Sequence, residues 1–268
     1  NRMDMNWVSS KFAKDTFEKM TYDKKDQRTG QVVGVVKLEK PIEVIFEGAN
    51  LTTYKPLNQS EIKTIDLKEI KEEFCYLFVG HWMQGEYGHD RKNVGVLIKS
   101  FYDAFRHKVG KKPALILKSS TGVASYLSRD SILDKIKTIR DSYGDAKLPN
   151  IYLLNGEFDD SEVNELYNHP KVKAMVSFTN NWLIQESQWF QVNKQHGISA
   201  LKEVYKSYKQ YLKRSKKQRH HVKTNFSWEK MKELIEKVLD KNIPDFPKQM
   251  ELKLPKLGLP KLELPKLE

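Results

Sequence analysis

FCYLFVGHWMQGEYGHDRKNVGVLIKSFYDAF, residues 74–105, decides the fold. It opens on an unbroken apolar run that stops at Gly80. A run this short, closed by glycine, reads as a buried strand, Cys75 to Val79. Beyond a polar loop, Val94, Leu97, Ile98, Phe101 and Phe105 recur at helical spacing, which predicts a helix at about 94–107. A solid apolar strand followed by an amphipathic helix is the unit of a parallel sheet covered on both faces.

The same unit recurs downstream. Strand 114–117 precedes a helix at about 130–142 bearing Ile132, Leu133, Ile136 and Ile139. Strand 151–154 precedes a short helix, 160–168, and strand 173–177 closes the series. The expected class is therefore α/β, a Rossmann-like parallel sheet with flanking helices and extra helices at the C-terminal side.

Upstream the signals are weaker. Residues 8–20 read as a helix capped by Ser9 or Ser10, with Phe12, Phe17 and Met20 on its apolar side. TYDKKDQRTGQ, residues 21–31, reads as a polar loop, and VVGVVKL and PIEVIFEG as strands. ANLTTYKPLNQS has no periodicity and reads as a connection. The expected organisation is a first unit over 1–58, a Rossmann-like domain over 59–243, and a tail over 244–268. That tail repeats LPKL at 254–257, 259–262 and 264–267, where proline forbids helix and favours extended chain, more often solvated than docked.

Past residue 193, Ile198, Leu201, Val204, Tyr205, Tyr208 and Leu212 mark one long helix. Its other side is basic, with Lys202, Lys206, Lys213, Arg214, Lys216, Lys217 and Arg219. Ser227 is placed to cap a last helix carrying Trp228, Met231, Leu234, Ile235 and Val238. The 47 basic against 35 acidic side chains give a net charge of +12, which favours polyanionic partners or only a solubilising surface. No apolar run approaches the length of a membrane span. The single Cys75 permits no intrachain disulfide and points to a reducing compartment, so a cytoplasmic protein, peripheral to a membrane at most, is expected.

Ligands of an open parallel sheet bind beyond the carboxyl ends of its strands. The richest such end is residues 80–95, where Arg91 and Lys92 fall just before a helix that Asn93 is placed to cap. Cations beside free N–H groups at a helix N-terminus suit a diphosphate. Gly80, Gly85 and Gly88 do not match the dinucleotide fingerprint, and no Walker pattern occurs. His81 and His89 lack partners at metal-ligand spacing, and His220-His221 reads as solvent-facing.

The ordered pieces WVSSKFAKDTF, PIEVIFEGANLTTYKP, YLFVGHWMQGEYGHDRKNVGVLIKSFYDAF and IYLLNGEFDDSEVNELYNHPKVKAMVSFT resemble a retaining glycosyltransferase of the two-Rossmann-domain (GT-B) type. They are most similar to the large family that includes many bacterial and phage sugar transferases. The likeness covers about residues 5–179, and NFSWEKM resembles the family's closing helix. It implies donor diphosphate binding by Gly80, His81, Arg91 and Lys92, with Lys92 matching the family lysine and His81 standing where the family has arginine. It implies that Asn155, Gly156 and Glu157 meet the nucleotide base. The co-substrate implied is a nucleoside diphosphate sugar, with no metal or other cofactor. The acceptor would be a glycan, a lipid-linked group or a protein.

The family's strand ending in S-F-T leads into a glycine-rich loop and two catalytic glutamates seven residues apart. Here Thr179 is followed at once by NNWLIQES. The expectation is a chain with an internal omission of roughly 50 residues, taking a βαβ unit as about 30. No catalytic residue is then nameable, and weak donor binding with slow or absent turnover is expected. A rival reading is a non-catalytic nucleotide- or glycan-binding module. A second is nucleic-acid binding through the basic helix 202–223, where Tyr205, Tyr208 and Tyr211 interleave with cations; nucleic acid ranks behind an anionic membrane surface as a partner.

Overall fold

The computed structural model describes residues 2–83, 90, 92–144, 147–178 and 193–243. In chain order the described elements are β1 (Asn6–Val8), α1 (Lys11–Lys19), β2 (Thr21–Lys25), β3 (Val32–Lys37), β4 (Ile42–Val44), β5 (Cys75–Val79), α2 (Val94–Phe105), β6 (Ala114–Lys118), α3 (Tyr126–Asp141), β7 (Ile151–Leu154), α4 (Asp160–Asn168), β8 (Val172–Met175), α5 (Lys194–Lys206), α6 (Tyr208–Asn225) and α7 (Trp228–Asn242). A short 3-10 turn covers Gln59–Glu61.

The heart of the fold is a four-stranded sheet in the order β7-β6-β5-β8, parallel throughout. Its central strands, β5 and β6, are short apolar runs because both faces are covered, while the edge strands β7 and β8 are only half-buried. Tyr76, Phe78, Leu115 and Leu117 point to the layer of α2, α3 and α5, where Leu97, Ile98, Phe101, Ile132 and Leu201 pack on them. Cys75, Leu77, Ala114 and Ile116 point the other way, under Leu67, Ile70 and Leu166 of α4. The α/β class read from the sequence is the class observed.

The strand order places the chain's third, second, first and fourth sheet strands side by side. The order reverses between β5 and β8, which opens a crevice at their carboxyl ends.

Cys75 lies within the second layer with no exposure, and burial pushes its thiol up to about 12. A thiol reagent that needs the thiolate should therefore leave the native protein unlabelled and take up one equivalent after denaturation. Rapid labelling under native conditions would contradict the burial.

The connection from the N-terminal elements is held by α4. Glu165 accepts from the backbone N–H groups of Lys63, Thr64 and Ile65 at 3.0, 2.8 and 3.2 Å. These bonds hold its carboxyl below the usual carboxylate range. Asn164 and Asn168 both donate to the carbonyl of Lys55.

Several expectations upstream are corrected. Residues 21–25 form a strand rather than a loop, because Asp26 closes a tight turn by accepting from Arg28 N, Thr29 N and Thr29 Oγ. Gly30 then takes φ +71°, a conformation glycine adopts without strain. β1 was not anticipated; it pairs in parallel with β4 and leaves the helix to start at Lys11, with Ser10 as its cap. No residue of α1 is buried, and Phe12 and Phe17 are half exposed. Among the later elements, α3 begins at Tyr126, and Leu133 on it is exposed.

The long helix expected past residue 193 is two helices, broken at Ser207. The break sets the Tyr208 ring against Phe74, 5.4 Å between centroids.

α7 is tied to the segment that follows β4. Ala49 N donates to Phe226 O at 2.7 Å and Trp228 N donates to Ala49 O at 3.1 Å. Phe46 meets Phe226 edge-on at 5.0 Å. Ser227 caps α7 as expected, accepting from Lys230 N. Gly48 lies under the helix start, where a Cβ would come within 2.9 Å of both Ser227 O and Trp228 Cα. Backbone atoms cannot swing aside. Gly48→Ala is expected to cost about 1–3 kcal/mol, read as a lower urea midpoint, and an unchanged midpoint would mean that α7 does not dock there.

Candidate functional site

The β5–β6 ladder runs on past the strand ends. Gly80 N donates to Lys118 O at 3.1 Å and Trp82 N donates to Ser120 O at 2.9 Å. This keeps residues 80–82 beside 118–120 at the carboxyl edge. Trp82 is buried, with Lys135 Nζ 5.2 Å from its ring centre.

At the far side of the loop the chain returns to enter α2. Asp90, 2% exposed, sets that start: both its carboxylate oxygens accept from Val94 N at 3.1 Å. Asn93 holds the N-cap position as expected, but the side chain that bonds the helix start is that of Asp90. Asn93 takes the left-handed conformation, φ 53° and ψ 39°, and its own side chain makes no capping bond. By helix geometry the N–H groups of Gly95 and Val96 have no partner within the helix. They give this end its partial positive charge.

Lys92 lies at the same point. Its Cε is 3.8 Å from the place a Cβ on Gly80 would occupy. The lysine stem therefore lies in contact range of the strand end, while the atom that a Cβ on Gly80 would crowd is Phe78 Cζ, at 3.2 Å. The structure therefore brings Gly80, Lys92 and the N-terminus of α2 together. Arg91 and His89 lie outside the described residues. His81 is exposed and turned towards β6, its Nδ1 2.9 Å from Ser120 Oγ.

Asn155, Gly156 and Glu157 follow β7, with β6 between β7 and β5. Asn155 Nδ2 donates to Ser119 O at 3.0 Å, and Gly156 O accepts from Lys118 Nζ at 2.5 Å. Lys118 Nζ also stands 4.5 Å from the Phe158 ring centre, and burial lowers its pKa. Glu157 is exposed. These three residues share the carboxyl edge with Gly80 and Lys92 and are joined to them through residues 118–120.

Two further residues of this edge carry a feature that the sequence does not show. Asn93 Oδ1 and Ser119 Oγ are buried and have no hydrogen-bond partner among the described residues, in side chains 7% and 2% exposed. Buried polar atoms are almost always paired, so the two set this edge apart as one with spare hydrogen-bonding capacity. Asn93 Oδ1 is an acceptor and suits a hydroxyl, while Ser119 Oγ can give or take. The edge thus offers a cation and helix N–H groups for phosphate, with oxygens for hydroxyls beside them.

Among the described residues no group of three His, Cys, Asp or Glu could hold a metal ion. No described helix is long and apolar enough to cross a membrane. Thr179 and the NNWLIQES segment lie outside the described residues; on either side of them, Phe178 packs so closely on Gly197 that a Cβ there would be 2.5 Å from its ring.

No protein-family model matches the chain, and no curated protein does. Solved structures show partial likeness. One of trehalose-6-phosphate synthase, OtsA, is 15% identical with a TM-score of 0.38, over 66% of this chain and 39% of that one. Another, described as trehalose-6-phosphate from E. coli bound with UDP-2-fluoro glucose, is 17% identical with a TM-score of 0.38, over 66% and 40%. The chain thus spans 39–40% of the length of the solved structures it matches. Identities this low leave the residues themselves to carry any functional reading.

Proposed function

We propose that this chain is the donor-binding part of a GT-B-type glycosyltransferase, hexosyltransferase-like, which moves a sugar from a nucleoside diphosphate sugar to an acceptor hydroxyl with retained configuration. The observation that carries the reading is the meeting of Lys92, Gly80 and the α2 N-terminus at the reversal point of a parallel sheet. The return of α7 to residues 46–49 is in keeping with the closing helix of the resemblance.

In the transfer, the bond from the anomeric carbon to the diphosphate oxygen breaks and a bond to the acceptor oxygen forms. The leaving diphosphate gains negative charge. Lys92 and the first-turn N–H groups of α2 stabilise that charge, with Arg91 as a second cation and no metal. Asn93 Oδ1 and Ser119 Oγ accept or donate to donor hydroxyls, and the turn at Asn155, Gly156 and Glu157 lines the base. The proton of the acceptor hydroxyl passes to the departing diphosphate oxygen.

Calorimetric titration with UDP, ADP and GDP, their glucose conjugates and the free nucleosides tests the reading. Binding of a nucleoside diphosphate at millimolar levels or tighter, with none for its nucleoside, is expected. Equal binding of nucleoside and diphosphate, or none of either, would sink it. Binding without any sugar transfer would favour the non-catalytic module instead.

A further inference from the structure

We infer that the outer face of α6 is a sequence-independent binding surface for the phosphate backbone of nucleic acid. Over its 18 residues α6 has no acidic side chain and buries none of its residues. At 100° per residue, Lys209, Lys213, Lys216, Lys217, His220 and Lys223 fall within one 120° arc of the helix, roughly 21 Å long. All six are exposed. Among the described residues none of them has an ion-pair partner. Like charges so close repel, and a polyanion that neutralises the row releases its own counterions.

The rest of the helix says which polyanion. Its ends are tied to the body: Tyr208 packs on Phe74, and Phe226, just past the last turn, packs on Phe46. Tyr211 is engaged by Glu203 and by Arg214, 5.0 Å from its ring centre. The tyrosines are therefore not a base-stacking platform, and the mode is contact with phosphates alone. A helix lying on a bilayer needs an apolar face to insert, and beside the exposed arc there is only Leu212. A single straight row on a helix about 10–12 Å across does fit a duplex major groove about 12 Å wide.

Tyr208 meets Phe74, just before β5, so α6 starts at the amino end of the sheet, opposite Gly80. Nucleic acid and a nucleotide at Lys92 should then bind without competition, and the inference stands or falls apart from the proposed function.

Fluorescence anisotropy with a mixed-sequence DNA duplex, titrated in salt, is the test. Five lysines on the row predict a slope of log affinity against log salt of about −4 to −5. The variant K209Q/K213Q/K216Q/K217Q should bind far more weakly, with a slope smaller by about 3 to 4. Its fold, checked by its melting curve, should be unchanged because no buried side chain is touched. A control with the same charge, K11Q/K19Q/K24Q/K25Q, should bind as the unaltered chain does, and saturating UDP should change nothing. No duplex binding at low salt, or equal loss in both variants, would overturn the inference. So would tighter binding to phosphatidylserine-containing vesicles than to duplex at matched phosphate.

Discussion

Phe101→Ala is expected to cost about 3–5 kcal/mol of folding stability. Phe101 has no exposure and sits where α2 meets the sheet, 6.0 Å from the Tyr76 ring and 5.2 Å from Phe105. Removing its ring leaves a cavity between partners fixed on a strand and on the same helix turn, so little can collapse to fill it. Against a usual total of about 5–15 kcal/mol, the loss is about a fifth of the stability or more. Leu133→Ala on α3 is the matched comparison. Leu133 is 45% exposed, so its truncation should stay within about 0.5 kcal/mol. Urea unfolding of both variants decides it: similar midpoints would mean that α2 does not pack as described.

That pair also shows what periodicity can and cannot resolve. The strands at Cys75 and Ala114 were legible because burial on both faces leaves no polar position to confuse the run, and the edge strand at Ile151, only half-buried, is still apolar throughout. Helix faces were legible to within one residue: Ile132 and Ile139 are buried while their neighbour Leu133 is not. A helix stripe has edges, and only the packing partner decides which edge residue is covered. The hairpin of β2 and β3 was half missed because TYDKK shows no alternation, and every residue of the two strands is exposed. Its signal lay in the turn, where Asp26, Thr29 and Gly30 act through hydrogen bonds and a positive φ.

At the candidate site, Gly80 and Lys92 were legible from position, since any chain leaving β5 for α2 must pass the carboxyl edge. The capping side chain was not. Asp90 and Asn93 are equally good capping types, and a choice between them rests on the left-handed turn at Asn93. Residues 118–122 were legible as a strand end, but not which of them meets Gly80, because that depends on the β5–β6 register, which pairs Val79 with Lys118. Register is a property of two strands and is not written in either alone.

The second large effect expected is on ligand binding. Lys92→Ala should weaken nucleoside diphosphate binding by about 10- to 100-fold, the worth of one hydrogen bond to a charged group at roughly 1.5–3 kcal/mol. Folding stability should hardly move, because Lys92 is only half-buried and Asp90 keeps the helix cap. Lys92→Arg keeps the charge but widens the head group, and should recover only part of the affinity. His81→Ala should do much less than Lys92→Ala, since His81 faces Ser120 at 2.9 Å rather than the helix end. The order of the three variants carries the argument. If His81→Ala were the more damaging, the diphosphate would lie over β6 rather than at the start of α2. If all three bound as the unaltered chain does, the meeting of Lys92 and Gly80 would be no phosphate site, and the donor-binding reading would fall with it.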